Sequence, residues 1–329
     1  MSDVMEAWNL EGPGGVDAFE RVRRPLPAVR RGWIRIAVEA FGLNRSELHS
    51  RKGLSSADAT WPRILGLECV GRVDDPSDSE LAVGERVVAL MGGMGRSFDG
   101  GYATHALVPR TQVFRAPEDL APATLGAVPE TYYTAALMCL DDLALTGDET
   151  VLVRGGTSAL GMAAGEIAKD RGCTTLGTTR NPKKAARLRE TRRLDHVVLE
   201  GPDFAERVLR VAGAVQAVVE CVGSTASVES SAATLTGGGR IGGAGMLTET
   251  WDTDAPPVLP EGVVYGFSRS DLVAAQEDDA FMAHLLGKVA AGAWAPNVHR
   301  VFAFDELPEA HRVMANNEAI GKLVVLTPE

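Results

Sequence analysis

The run VLVRGGTSALG, residues 151–161, carries Gly155, Thr157, Ser158, Ala159, Leu160 and Gly161 at the point where a β-branched apolar stretch breaks into glycines and small side chains. Backbone N–H groups at a strand-to-helix turn point outward, the helix dipole adds positive potential, and small residues let a pyrophosphate approach the main chain. The spacing is G-x-x-S-x-x-G, with Ser158 where a G-x-G-x-x-G pattern has its middle glycine. Alone, the pattern suits a plain tight turn equally well. Its setting favours a dinucleotide. The loop follows a strand-like run, and opens a segment whose Leu160, Ala163, Ala164, Ile167 and Ala168 recur at helical spacing. A second strand-like run, CTTLGTT, then ends at Thr179, the order a mononucleotide-binding βαβ unit requires.

The next residues distinguish the dinucleotides. A site for an unphosphorylated ribose carries an acid near the end of the second strand. The run GTTRNPKK, residues 177–184, has none and offers Thr179, Arg180, Lys183 and Lys184. Charge-assisted hydrogen bonds to a 2′-phosphate contribute about 1.5–3 kcal/mol each. Asn181 can cap the following helix and Pro182 suits its first turn. The alternative is a set of surface charges beginning a helix, although cations are unfavourable at a helix N-terminus without an anion beside them. The residues predict NADPH. A short-chain dehydrogenase is excluded because none of Tyr102, Tyr132, Tyr133 and Tyr265 has a lysine four residues on.

These residues need a frame, and the chain supplies three zones. Up to about Pro122 there are short β-like runs (WIRIAVEAFGL, ECVGRV, GERVVAL, YATHALV) punctuated by Gly, Pro and Asp. The middle alternates strand and helix, which predicts a parallel sheet with crossover helices. The tail reads strand, helix, strand. A length of 329 residues implies two domains. A net charge of -11 argues against nucleic acid as a partner, and Arg21, Arg23, Arg24, Arg30 and Arg31 read as a solvated edge. No apolar run suits a membrane span, and the N-terminus lacks the pattern of a secretory signal. Cys69, Cys139, Cys173 and Cys221 are scattered among apolar or small neighbours, as buried thiols of a cytoplasmic protein would be.

In the order and spacing of its segments, the chain resembles the zinc-independent medium-chain dehydrogenases/reductases, in particular their quinone oxidoreductase-like branch. The segments are FGLNRSELHSRKG (41–53), WPRILGLECVGRV (61–73), VGERVVAL (83–90), DGGYATHALVP (99–109), ETYYTAALMCL (130–140), the glycine loop, TLTGGGRIGGAG (234–245) and the tail GKLVVLTP. The resemblance implies an α/β protein with a β-rich GroES-like catalytic domain from both chain ends (1–122 and 268–329) and an inserted Rossmann domain (123–267), a doubly wound parallel sheet. It also implies a cofactor cleft between them and a homodimer through the edge run GVVYGFS (262–268). Zinc-dependent relatives have a cysteine where this chain has Asn44 and Gly-His-Glu where it has Gly66, Leu67 and Glu68. Their cysteine-rich lobe is missing between Val87 and Tyr102, so no metal is expected. Val222, Gly223, Gly245 and Met246 would join the cofactor site.

Without a Lewis acid, hydride is best delivered to an acceptor already polarised by conjugation. The expected reaction is NADPH-dependent reduction of a quinone or an α,β-unsaturated carbonyl. The developing oxyanion needs a donor. Asn44 and His49 are the candidates in NRSELHS, and Tyr133 and Thr134 match family positions near the nicotinamide. Other readings compete at these positions. Asn44 suits a helix cap with Glu47 completing a capping box, His49 a partly exposed surface position, and Tyr133 core packing. Two alternative functions stand beside the first: a polyketide-type enoyl reductase, for which the arginine cluster at 21–31 would be the carrier-docking face, and a non-catalytic NADPH-binding regulatory module.

Overall fold

The computed structural model describes residues 3–54, 60–244, 256–267 and 279–328. The chain opens with strands β1 (Val4–Leu10), β2 (Glu20–Pro25) and β3 (Trp33–Gly42), then helix α1 (Arg45–Arg51). Strands β4 (Arg63–Ile64), β5 (Glu68–Asp75), β6 (Arg86–Leu90), β7 (His105–Pro109) and β8 (Val113–Arg115) follow, with helices α2 (Pro122–Leu125) and α3 (Pro129–Ala136). In β3, WIRIAVEAFG, alternate residues are buried until its last turn inward, the period-2 signature of a strand with one face on a core.

The middle section alternates strictly: β9 (Thr150–Arg154), α4 (Ala159–Asp170), β10 (Thr174–Thr179), α5 (Pro182–Thr191), β11 (His196–Leu199), α6 (Phe204–Ala212), β12 (Val215–Glu220), α7 (Thr225–Ala232), β13 (Leu235–Gly243) and β14 (Val264–Phe267). Helix α8 (Asp279–Ala290), β15 (Val298–Ala303), α9 (Leu307–Ala315) and β16 (Lys322–Leu326) close the chain.

Two compact units result, Met1–Glu130 with Ser270–Glu329, and Thr131–Arg269. The first crossing thus falls after Glu130, beyond the sequence-read boundary at 122/123. Helix α2 packs on β3 and β16 and so stays with the first unit. That unit is the β-rich GroES-like domain. Strands β2-β1-β4 form a small sheet, and β15-β16-β3-β5-β6-β8 a larger one, with β7 also on β3. The tail enters because β16 pairs antiparallel with β3, Val324 opposite Gly42. Ile34, Ile36, Phe41, Tyr102, Phe302 and Val325 belong to its main core.

The second unit is the Rossmann domain, a parallel sheet in the order β11-β10-β9-β12-β13-β14. Its central β9 is buried on both faces, which is why VLV, residues 151–153, is a continuous apolar run rather than an alternating one. The strand order reverses between β9 and β12, so the crevice for a ligand opens at their carboxyl ends.

Candidate functional site: a glycine cradle and a buried polar cluster

In the Rossmann unit, the loop between β9 and α4 has a physical reason for each small residue. Gly155 has φ +77°, a left-handed conformation that glycine adopts without strain. Ser158 stands at the helix N-cap, where its Oγ accepts the Gly161 N–H at 3.0 Å and donates to the Gly155 carbonyl at 2.8 Å. This explains the departure from a middle glycine: the hydroxyl staples the turn that the cap must close. Thr157, Ala159 and Leu160 are half-buried around it. A Cβ on Gly161 would lie 2.6 Å from the Gly155 oxygen. The cradle, small at every inward position and facing a helix N-terminus, suits a bound pyrophosphate.

At the end of β10, Thr179 is buried and its Oγ accepts the Asn181 N–H. Asn181 Oδ1 caps α5 by accepting the Lys183 and Lys184 N–H groups, with Pro182 in the first turn. No acid stands in that turn. Arg180 is exposed and Lys184 buried. At the end of β12, the fully buried Glu220 accepts the Val222 and Gly223 N–H groups at 2.9 and 3.2 Å, and also hydroxyls of Ser227 and Ser231. It thereby shapes the turn that sequence reasoning had assigned to the site only through Val222 and Gly223. Gly245 and Met246 lie outside the described residues.

In the GroES-like unit, Asn44 precedes α1 and is 7% exposed. Asn44 is the N-cap of α1 in the expected capping box with Glu47, whose carboxylate accepts the Asn44 N–H at 2.7 Å, and the Asn44 side chain has further partners. Its Nδ2 donates to Glu68 Oε1 at 2.9 Å and its Oδ1 accepts from Lys322 Nζ at 2.6 Å. Lys322 also pairs with Glu68 at 2.7 Å, and the Glu130 N–H donates to the second Glu68 oxygen. The pair is buried, Lys322 3% and Glu68 0% exposed. Gly42 makes room for it, since a Cβ there would meet both side chains at about 2.5 Å or less. His49 is buried on α1, which corrects the expectation of a partly exposed surface histidine: α1 packs against α9.

A second chain of polar groups runs behind Asn44. Arg51 Nη1 lies 3.3 Å from His311 Nδ1, and His311 Nε2 3.1 Å from the Tyr102 hydroxyl. The hydroxyl in turn donates to Glu47. A guanidinium only donates, so His311 Nδ1 accepts and the ring proton sits on Nε2. Glu47 also accepts the Leu67 N–H at 2.8 Å. Burial pushes the Glu47 carboxyl up to about 7 against the pull of its Asn44, Tyr102 and Leu67 donors. Burial, and then the Arg51 charge, lower His311 to about 3.

The two groups act oppositely on stability. The lowered His311 contributes stability above its unfolded pKa of about 6.5 that is lost as pH falls toward 3; the raised Glu47 contributes most below about 4.3 and loses it as pH rises to 7. Comparing the wild type with His311→Gln isolates the first effect. The stability advantage of the wild type should shrink by about 2 kcal/mol between pH 7 and 5. Urea unfolding at each pH measures it, and an advantage independent of pH would contradict a neutral buried imidazole.

Of the predicted catalytic residues, Asn44 and His49 are brought to one helix, whereas Tyr133 and Thr134 are buried on α3 in the other unit. That Glu47, Glu68, Tyr102, His311 and Lys322 would gather around Asn44 as buried polar partners is not legible in the sequence pattern. Charged residues inside apolar runs, as in GLECV and GKLVV, were the available signal, because such groups are rarely buried unless paired.

A GroES-like unit and a doubly wound sheet with a glycine-lined helix N-terminus are the two parts of a dehydrogenase-type fold. The comparisons agree. Residues 30–118 match the alcohol dehydrogenase GroES-like domain and residues 193–325 the zinc-binding dehydrogenase domain. Both matches agree with the resemblance to the medium-chain dehydrogenases/reductases. It is 29% identical over 334 residues to part of the polyketide synthase GfsB of Streptomyces halstedii, covering 98% of this chain but 6% of that protein. An NAD-dependent alcohol dehydrogenase is 25% identical, with a TM-score of 0.86 over 98% of this chain and 100% of that one. A mycobacterial protein solved with NADPH shares the fold at 22% identity and a TM-score of 0.85, over 98% and 99% of the two chains.

The second family description implies zinc, and the residues here do not suit it. Leu67 offers no donor atom, and the Asn44 and Glu68 oxygens hold the Lys322 ammonium. A zinc site takes Cys, His or carboxylate ligands in tetrahedral array, and here the Glu68 carboxylate already pairs with a resident cation.

Proposed function

We propose that this chain is an NADPH-dependent reductase, of the quinone oxidoreductase-like branch, that delivers hydride to a conjugated carbonyl acceptor without a metal. The observation that carries this reading is the use of Asn44 and Glu68 to hold Lys322. With those oxygens engaged, an acceptor must arrive already polarised, as a quinone or an α,β-unsaturated carbonyl does. NADPH supplies the hydride. The chain's part is to cradle the pyrophosphate at Gly155–Gly161, to hold the 2′-phosphate with Thr179, Arg180 and Lys184, and to orient the ring through the Val222–Gly223 turn. Asn44 and His49 on the GroES-like unit are the donors assigned to the developing oxyanion, with Tyr133 and Thr134 assigned to the nicotinamide side.

Alignment of almost the whole chain with a segment of polyketide synthases supports an enone over a quinone. A docking face for a carrier protein is less supported. In the arginine cluster, Arg21 pairs with Glu6 and Asp305, Arg24 with Asp99 and Arg31 with Asp78, while Arg30 lies over Trp33. Three of the five arginines are thus paired with acids, which lowers the positive charge of the cluster and favours a freely diffusing acceptor. A homodimer through β14 belongs to the same reading, supported by exposed Val264 and Phe267 on that edge strand.

The test is consumption of reduced nicotinamide by chelator-treated protein with quinones, enones and simple aldehydes. Turnover of enones or quinones with NADPH is expected, and turnover of aldehydes alone would defeat the proposal. Arg180→Ala with Lys184→Ala should weaken NADPH by about 30-fold or more while NADH changes less than about threefold, since two charge-assisted bonds are lost only for the phosphate. Equal losses for both cofactors would remove the phosphate assignment.

A further inference from the structure

A cavity of about 490 Å³ opens in the Rossmann unit among Arg154, Arg180, Glu200, Phe204 and Ser230. Its position is set by topology. Arg154 ends β9, Arg180 follows β10 and Glu200 follows β11, so three adjacent strands deliver their carboxyl ends to one place. Phe204 and Ser230 come from α6 and α7, the helices that follow β11 and β12.

Arg154 is 8% exposed and tightly held. Its Nη2 pairs with Glu200 at 3.0 Å, its Nη1 donates to Ser230 and Ser231 at 2.9 and 3.2 Å, and its guanidinium lies 4.0 Å from the Phe204 ring centre. Glu200 also accepts the Thr178 hydroxyl, which itself accepts the Gly155 N–H of the cradle. One donor is left over: Arg154 Nε is buried and has no hydrogen-bond partner among the described residues. A buried donor without an acceptor is destabilising, and an anion in the cavity would satisfy it. Glu200 alone would repel such an anion, and Arg154 cancels that charge.

We propose that Arg154 is a second phosphate-selecting residue, neutralising Glu200 and offering its Nε–H to the 2′-phosphate beside Arg180. This rests on the NADPH reading and extends it to a residue outside the loop after β10. Planar geometry with several fixed donors suits arginine to this double duty, and lysine cannot replace the Nε–H.

Titration calorimetry with adenosine 2′,5′-bisphosphate and 5′-AMP tests the assignment. The wild type should prefer the bisphosphate. Arg154→Met should weaken the bisphosphate about 30-fold and 5′-AMP less than about threefold, as expected when a charge-assisted contact is lost and a bare carboxylate faces the phosphate. Adding Glu200→Gln to Arg154→Met should recover part of the loss, because the repulsion goes even though the donor does not return. Arg154→Lys, which keeps the charge, should fall between. The double variant also guards against failure to fold, since it buries no unpaired charge. Equal losses for both probes, or no recovery in the double variant, would overturn the role of Arg154. A wild type that binds the two probes alike would instead overturn the NADPH reading.

Discussion

Gly161→Val is expected to abolish binding of NADPH and NADH alike, by about 100-fold or more, because a displacement of roughly 1 Å in a positioning element can cost that much. The cause lies inside the loop rather than at the ligand. A Cβ at this position would sit 2.6 Å from the Gly155 oxygen and 3.1 Å from Ser158 Oγ. Gly155 is in the left-handed region, and its carbonyl is pinned by the Ser158 hydroxyl. The turn must therefore open, which separates the N–H groups proposed to face the phosphates and breaks the cap. Loss of that cap alone costs about 1 kcal/mol. Titration with each cofactor, alongside a far-ultraviolet spectrum showing retained secondary structure, measures the effect. Binding within threefold of wild type would reduce the loop to an ordinary connection.

Lys322→Met should lower the unfolding free energy by about 3–5 kcal/mol, the cost of leaving one partner of a buried ion pair without the other. The cation holds both Glu68 and Asn44, and Glu68 is fully buried. The paired variant Lys322→Met with Glu68→Gln should regain much of the loss, because its neutral amide keeps an oxygen for the Glu130 or Asn44 donors. Urea unfolding of the three proteins decides the matter. A single variant within 1 kcal/mol of wild type, or a double variant no better than the single, would show that the ammonium contributes little. Were zinc titration of Lys322→Met to restore stability, the assignment of this cluster as a metal-free site would also fall.

Local chemistry foretold some features well. The cap and proline at Asn181–Pro182 are read directly from residue type, since short side chains that accept backbone N–H groups and a ring that fixes φ have the same effect wherever a helix starts. The continuous apolar run of β9 and the alternation in β3 likewise encode how many faces each strand buries. The unexpected findings involve longer reach. Asn44 had two sequence-compatible uses, cap and donor. Its side chain also joins residues at 68 and 322, because β16 returns from the far end of the chain to pair with β3.

By itself, then, the amino-acid order determined the elements, the glycine cradle, the cationic start of α5 and the two-domain plan, all of which depend on neighbours within a few residues or on periodicity. Tertiary structure decided which charges face one another. Lys322 meets Glu68, His311 bridges Arg51 and Tyr102, and Arg154 meets Glu200 only after strands distant in sequence are laid side by side. Burial then gives these groups their chemistry, since away from water a charge must find a partner or lose its proton, and the partner is chosen by the fold.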